Sequence, residues 1–296
     1  MAKSLNEQVK EIVDSKVSMI QKQKSLIELG LTKQDLFIIL KKVSRESSQP
    51  GFRVNNLTFG VEIECYNFTR DALINAAQAK RIDVRSEGYN HTDHKTHFKI
   101  VNDASICGTN GNEVVSPILK GKKGENALKK VCDALNEVDA RVNRSTGLHV
   151  HFDARNLSKE HYVNIFVNYQ KIERAIDSFM PESRRRNSNV YCHSLIGRNF
   201  EICTTHEDID NALNYDRYFK VNARAFASHG TIEFRQHSGT VDFTKIANWI
   251  NFLRRLIEYS FDHRLTDDVN TIDEIPFLSE AEKQYFNNRK EALSAQ

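Results

Sequence analysis

Three short segments alternate apolar residues with ionisable ones at period two: Val61-Glu62-Ile63-Glu64, Leu148-His149-Val150-His151-Phe152 and Ile232-Glu233-Phe234-Arg235. In an extended chain, residues i and i+2 share a face. Glu62 and Glu64 therefore project together, about 7 Å apart, and so do His149 with His151 and Glu233 with Arg235. The opposite face of each segment is apolar and must be buried. Such segments are strands of a sheet with one side for packing and one side charged. Taken singly, each also describes the solvated face of a half-exposed antiparallel sheet. Three together favour a site, because like charges on one sheet face cost energy unless a cation lies between them, and no local run of lysines supplies one. Carboxylates with few imidazoles and no thiolate suit hard cations, Mg²⁺ or Mn²⁺, better than structural zinc. Arg235 beside them suits a transferring phosphoryl group, since a guanidinium holds phosphate bidentately while metals offset its charge. The Gly-rich stretch Gly108–Gly111 lacks the Lys-Ser/Thr ending of a Walker A loop, so a nucleotide would be held by metals and arginines.

The rest of the chain reads as α+β. Helical spacing marks Asp71–Lys80, Gly124–Val142, Lys159–Phe179 and Phe243–Tyr259. Asn110-Gly111 is a turn before a strand at Glu113–Ser116, residues 86–102 suggest a polar hairpin, and Tyr215–Ala225 is strand-like. Residues 1–46 form a helical N-terminal segment interrupted at Gly30, with Thr32 as N-cap and Asp35 at N3. That outline admits a helix-turn-helix reader, but Leu36–Leu40 is too apolar for a recognition helix and favours a helical cap or adaptor. Ser44–Gly51 reads as a linker, and the expected division is 1–46, a domain over 57–261, and a helical tail over 262–296. Of 296 residues, 40% are apolar, enough for a sizeable core, and 42 basic against 39 acidic residues leave a net charge of only +3. This balance argues against nucleic acid or anionic lipid as a partner. No apolar run approaches the ~18 residues of a membrane helix, and the N-terminus lacks the apolar core of a secretory signal. Five cysteines without C-x-x-C spacing complete the expectation of a cytoplasmic, reducing setting.

Five motifs then carry a resemblance. Phe59–Glu64 (FGVEIE), Asp103–Pro117 (DASICGTNGNEVVSP), Thr146–Ala154 (TGLHVHFDA), the Arg-rich stretch ending in Tyr191-Cys192, and Gly230–Thr240 (GTIEFRQHSGT) follow one another in order. Together they resemble the amidoligase family of the carboxylate–amine ligase superfamily, which includes glutamine synthetase and glutamate–cysteine ligase. The resemblance covers roughly residues 57–260. It implies a curved antiparallel sheet, like the glutamine synthetase catalytic domain, with helices on the convex face and ATP with two or three Mg²⁺ ions on the concave one. Residue by residue it implies metal ligation by Glu62, Glu64, Glu113, His149 and Glu233, and a nucleotide or substrate contact at His151. Arg235 takes the phosphate-binding position, while Asp103 and Ser105 lie on the substrate side. The catalytic assignments are Glu62, Glu233 and Arg235. The glutamine synthetase loop that binds ammonia or glutamate has no counterpart, so those substrates do not transfer.

The expected function is an ATP-dependent ligase joining a carboxylate substrate to an amine substrate through an acyl phosphate. The resemblance suggests peptides, peptidoglycan-like precursors or a protein tail as partners, and the N-terminal helices are available for homo-oligomer assembly. The competing enzyme class is a metal-dependent hydrolase or cupin-like oxygenase built on His149 and His151 plus a glutamate, which leaves Glu62, Glu64, Glu113 and Arg235 surplus. A nucleic-acid-binding module using residues 21–43 and Arg184-Arg185-Arg186 is the non-enzymatic alternative. Arg198, after Gly197, is a further candidate phosphate contact, balanced against an ordinary surface arginine. His91, His94 and His97 have spacing that fits neither helix nor strand ligation cleanly. Cys107 and Cys192 read as ordinary free thiols.

Overall fold

The computed structural model describes residues 8–9, 11–12, 25–30, 57–88 and 96–295. The alternating segments are three adjacent strands of one seven-stranded sheet. β1 (Phe59–Cys65), β2 (Val84–Ser86), β3 (Phe98–Asn102), β4 (Asn112–Val115), β5 (Gly147–Asp153), β6 (Val221–Asn222) and β7 (Thr231–Ser238) lie in the spatial order β2-β3-β4-β1-β5-β7-β6. All pairings are antiparallel except β2 with β3. That exception corrects the expected hairpin over 86–102. Ser86 pairs in parallel with Ile100, and parallel partners cannot be joined by a tight turn. Val84, Phe98 and Ile100 all enter the core, so burial of these side chains fixes the arrangement.

Among the described residues from 57 onward the α-helices are α1 (Arg70–Ala79), α2 (Gly121–Glu137), α3 (Lys159–Ser178), α4 (His206–Ala212), α5 (Arg224–His229), α6 (Phe243–Tyr259) and α7 (Glu280–Ser294). Local chemistry starts several of them. Ser158 Oγ accepts from the His161 N–H at 3.1 Å, Asp242 accepts from Thr244 N–H at 2.8 Å, and Ser279 with Glu282 forms a capping box. The apolar face of the sheet is Phe59, Val61 and Ile63 of β1, Leu148, Val150 and Phe152 of β5, and Ile232 and Phe234 of β7, all buried in one cluster with the helices. Tyr169 of α3 packs on Phe234, and Trp249 of α6 stacks on Phe252. The segment after residue 262 closes onto the same core, since Phe286 of α7 meets Phe179 at 4.5 Å and Phe252 at 5.3 Å between ring centres.

Tyr215–Ala225 is not one strand. Asn214 and Tyr215 adopt left-handed φ values of 54° and 55°, so the chain turns, contributes the two residues of β6, and starts α5. By compactness the chain forms two units, residues 1–55 and 56–296. In the first, residues 25–28 are helical and Gly30 has φ +79°, while the Thr32 cap and most of the 21–43 reading fall outside the described residues. Among the described residues no helix is long and apolar enough to cross a membrane.

Candidate active site

Sheet register decides which charged residues meet. Glu62 of β1 lies opposite His149 of β5, Gly60 opposite His151, and Glu64 opposite Glu113 of β4. Continuing across the sheet, His151 lies opposite Glu233 of β7, and Glu233 opposite Asn222 of β6. Successive rows of the polar face therefore read Gly60–His151–Glu233–Asn222, then Glu62–His149, then Glu113–Glu64. Because side chains directly across an antiparallel pair lie within about 5.5 Å, the pairing itself gathers the carboxylates and imidazoles. They line a cavity of about 750 Å³ that also takes in Lys99, Asp103, Ser105, Arg184, Tyr218 and Arg235.

Within this cavity His149 is the hub. Its Nδ1 is 3.0 Å from Glu62 Oε2 and 3.6 Å from Glu233 Oε1, and its Nε2 is 3.5 Å from Glu64 Oε1. Glu64 also accepts the Gly147 N–H at 2.6 Å. Gly147 passes close to two of these side chains: a Cβ there would lie 3.0 Å from both Arg184 Nη2 and His149 Nε2. His151 Nδ1 is 3.0 Å from Thr231 Oγ1, which directs Nε2 at Glu62 Oε1 (3.4 Å) and Glu233 Oε1 (3.8 Å). That Nε2 is buried and makes no hydrogen bond of good geometry. Glu233 receives Arg235 Nη1 and Asn222 Nδ2, each at 2.5 Å.

The electrostatics are uneven. Burial opposes ionisation of Glu62, yet contact with His149 and His151 and their charge hold its carboxyl well below the ordinary range. Burial likewise opposes ionisation of Glu233, but Arg235 and the two histidines outweigh it and the carboxyl is lowered. Glu113 goes the other way, pushed well above the ordinary value by burial and by the charges of Glu62, Glu64 and Asp103. His151 is raised, with Glu233 and Glu62 overcoming its burial. Two groups of ligand atoms lie within 4.8 Å of one another: Glu62, His151 and Glu233, and Glu62, Glu113 and His149. Glu62 belongs to both. A buried nitrogen short of a well-formed hydrogen bond and a crowded carboxylate are what a divalent cation would relieve, so the donors fit Mg²⁺ or Mn²⁺.

Most of the expected residues converge here, with corrections. Asp103 lines the cavity and holds Ser105, whose N–H and hydroxyl donate to Asp103 Oδ1 at 2.8 and 2.7 Å. Arg198 does not line it. Its guanidinium sits 4.8 Å over the Phe219 ring and donates to the Ala212 carbonyl, so this arginine serves packing. His151 groups with Glu62 and Glu233 as a potential ligand, not only as a nucleotide contact. Of the arginine run, Arg184 is buried and donates to the Thr146 carbonyl at 2.6 Å, which removes it from any exposed basic face. His97 is buried with Nε2 2.7 Å from Glu87, while His91 and His94 lie outside the described residues. Cys192 is buried, its thiol donating to the Arg235 carbonyl at 3.7 Å, and burial raises its pKa. Sequence reasoning passed over Asn222, Lys99, Arg217 and Tyr218. Asn222 had the one usable signal, an amide directly after an apolar residue on a strand beside Glu233.

The chain belongs to a protein family described as “putative amidoligase enzyme”, which matches residues 55–257 and so includes every strand of the sheet. No curated protein matches the chain. Among solved structures, a bifunctional glutathione synthetase from Pasteurella multocida is similar at a TM-score of 0.41 and 12% identity, over 85% of this chain. The similarity spans 43% of that synthetase's own length.

Proposed function

We propose that this protein is an ATP-dependent carboxylate–amine ligase with a glutamine synthetase-like catalytic sheet. The observation that carries the reading is the register that gathers Glu62, Glu64, Glu113, Glu233, His149 and His151 on one sheet face, with Arg235 reaching over Glu233. In the proposed reaction a substrate carboxylate oxygen attacks the γ-phosphorus of ATP and ADP leaves, giving an acyl phosphate. The amine nitrogen then attacks the acyl carbon, loses a proton, and phosphate leaves as the amide forms. Glu62, Glu64, Glu113, His149, His151 and Glu233 are the residues that would hold Mg²⁺, which offsets the phosphate charge and aligns the phosphoryl group. Arg235, steadied by Glu233, holds the phosphoryl oxygens, and Asp103 with Ser105 faces the substrates. The chain's work is positioning and charge, which is most of catalysis in phosphoryl transfer.

The test has two parts. Mg²⁺ and ATP together, but neither alone, should raise the melting temperature, because a ligand selective for the folded state stabilises it. Incubation with ATP, Mg²⁺, hydroxylamine and a panel of carboxylic and amino acids should yield a hydroxamate only when ATP is present. Stabilisation by a transition metal without nucleotide, and no hydroxamate, would favour the metallohydrolase instead.

A further inference from the structure

Behind β7 lies a buried charged cluster, none of whose members lines the cavity. Lys220, just before β6, is fully buried, and its Nζ donates to Glu173 Oε1 at 2.8 Å and to Asp177 Oδ1 at 2.6 Å. Both carboxylates come from one face of α3, four residues apart. Asp177 Oδ1 also accepts from Gln236 Nε2 at 2.6 Å, and Gln236 Oε1 accepts from the Tyr169 hydroxyl at 2.5 Å. Glu173 is completed by the Ser194 hydroxyl at 2.5 Å and the Leu195 N–H at 2.8 Å. Burying a lysine with two carboxylates is a poor route to stability, since an apolar set of equal volume often does better. The cluster must be explained by what it holds.

It holds backbone beside two arginines of the cavity. The Lys220 carbonyl accepts from the Arg235 N–H at 2.8 Å, Gln236 Nε2 lies 3.4 Å from the Arg184 carbonyl, and Asp177 Oδ2 accepts from the Arg186 N–H at 2.9 Å. Gln236 occupies a decisive position. Between β5 and β7 the register runs Val150↔Phe234 and then Leu148↔His237, so Arg235 and Gln236 together oppose the single residue His149. At such a bulge the pairing does not dictate side-chain direction. The bonds to Tyr169 and Asp177 keep Gln236 on the helix side, and Arg235 takes the cavity side. Beyond the bulge His237 also turns inward, 5.5 Å from Trp249 between ring centres, where unbroken alternation would aim it at the cavity.

We propose that Gln236, anchored by Tyr169 and by the Lys220–Glu173–Asp177 cluster, is the positioning residue for Arg235: it fixes the bulge and thereby the reach of the Arg235 guanidinium over Glu233. The mechanistic consequence rests on the ligase reading of Arg235; the positioning does not. Two variants of the full chain test it, Gln236→Met, which keeps bulk and removes the amide, and the milder Tyr169→Phe, which removes one anchor. The first measurement is the side-chain Nε–H spectrum of ¹⁵N-arginine-labelled protein without ligands, with the Arg235 signal identified by its loss in Arg235→Lys. Both variants should shift or broaden that signal while the other buried arginines keep theirs. The second is Mg²⁺-dependent ATP turnover. Here kcat should fall about a hundredfold in Gln236→Met, the scale of a 1 Å misplacement, with KM for ATP changed much less. A lowered melting temperature with an unmoved Arg235 signal in both variants overturns the proposal. A moved signal in a protein that shows no ATP turnover upholds the positioning and removes the ligase reading.

Discussion

Arg235→Lys keeps the positive charge and removes the fork. In the wild type, Nη1 is committed to Glu233 at 2.5 Å and Nε faces the Tyr191 carbonyl at 3.5 Å, which leaves Nη2 for the cavity. In the proposed reaction one planar group would therefore hold its carboxylate and a phosphoryl oxygen at the same time. Lysine offers a single nitrogen, and Glu233, buried at 4% exposure, competes for it at all times. The variant should lose one charge-assisted hydrogen bond that forms fully only in the transition state. By analogy with removal of one oxyanion donor, this costs about 2.7–4 kcal/mol, or about 10²–10³ in kcat. The assay is Mg²⁺-dependent ATP turnover, with hydroxamate formation once an accepted acid is known. KM for ATP should move far less than kcat, because the ground-state nucleotide keeps its other contacts. Turnover within about threefold of wild type would refute the reasoning, since an arginine that only balances Glu233 is replaceable by any cation.

Glu62→Gln should abolish Mg²⁺-dependent stabilisation by ATP, because Glu62 belongs to both candidate ligand groups; thermal shift with and without Mg²⁺ checks it. His237 is held well below its ordinary pKa by burial and by the charges of Arg289 and Arg184, so the folded chain keeps it neutral while the unfolded chain protonates it. The linkage sign makes stability fall as pH drops below about 6.5, by up to about 1.4 kcal/mol per unit until the folded pKa is passed. His237→Gln should flatten that part of the melting temperature–pH profile, and an unchanged slope would contradict the assignment. Phe286→Ala should cost about 3–5 kcal/mol in chemical denaturation, since Phe286 is buried against Phe179 and Phe252 and its loss opens a cavity under α7.

How far the sequence reveals this fold depends on how local each signal is. The period-two pattern of β1, β5 and β7 is carried by adjacent residues, and so are the apolar stripes and caps of α3 and α6, which fall within a residue of where the spacing puts them. The parallel β2–β3 pair was not legible, because a three-residue strand has no period and its partner is chosen by tertiary packing. The bulge was equally hidden. Nothing in Glu233-Phe234-Arg235-Gln236-His237 signals that alternation stops after Gln236; the reason sits on α3, more than fifty residues away, in Tyr169 and Asp177. The site divides in the same way. The carboxylates, the imidazoles and Arg235 were assigned to one face because strands impose a direction, whereas Arg198 and Arg217 lie on loops that impose none. Arg198 was therefore left balanced between a phosphate contact and a surface arginine, where the structure sets it over the Phe219 ring, and Arg217 went unnoticed.

The outermost strands of the sheet are its shortest, three residues in β2 and two in β6. Beyond β6 the chain covers its own border, with the His193 N–H donating to the Tyr218 carbonyl at 2.7 Å and the Lys220 N–H donating to the His193 carbonyl at 2.9 Å. A long bare border would offer a ladder of unpaired amides to any neighbouring strand, the usual route to runaway polymerisation. Here that ladder is cut short on one side and already occupied on the other. Among the described residues, neither border leaves a long run of amides for a second copy to extend.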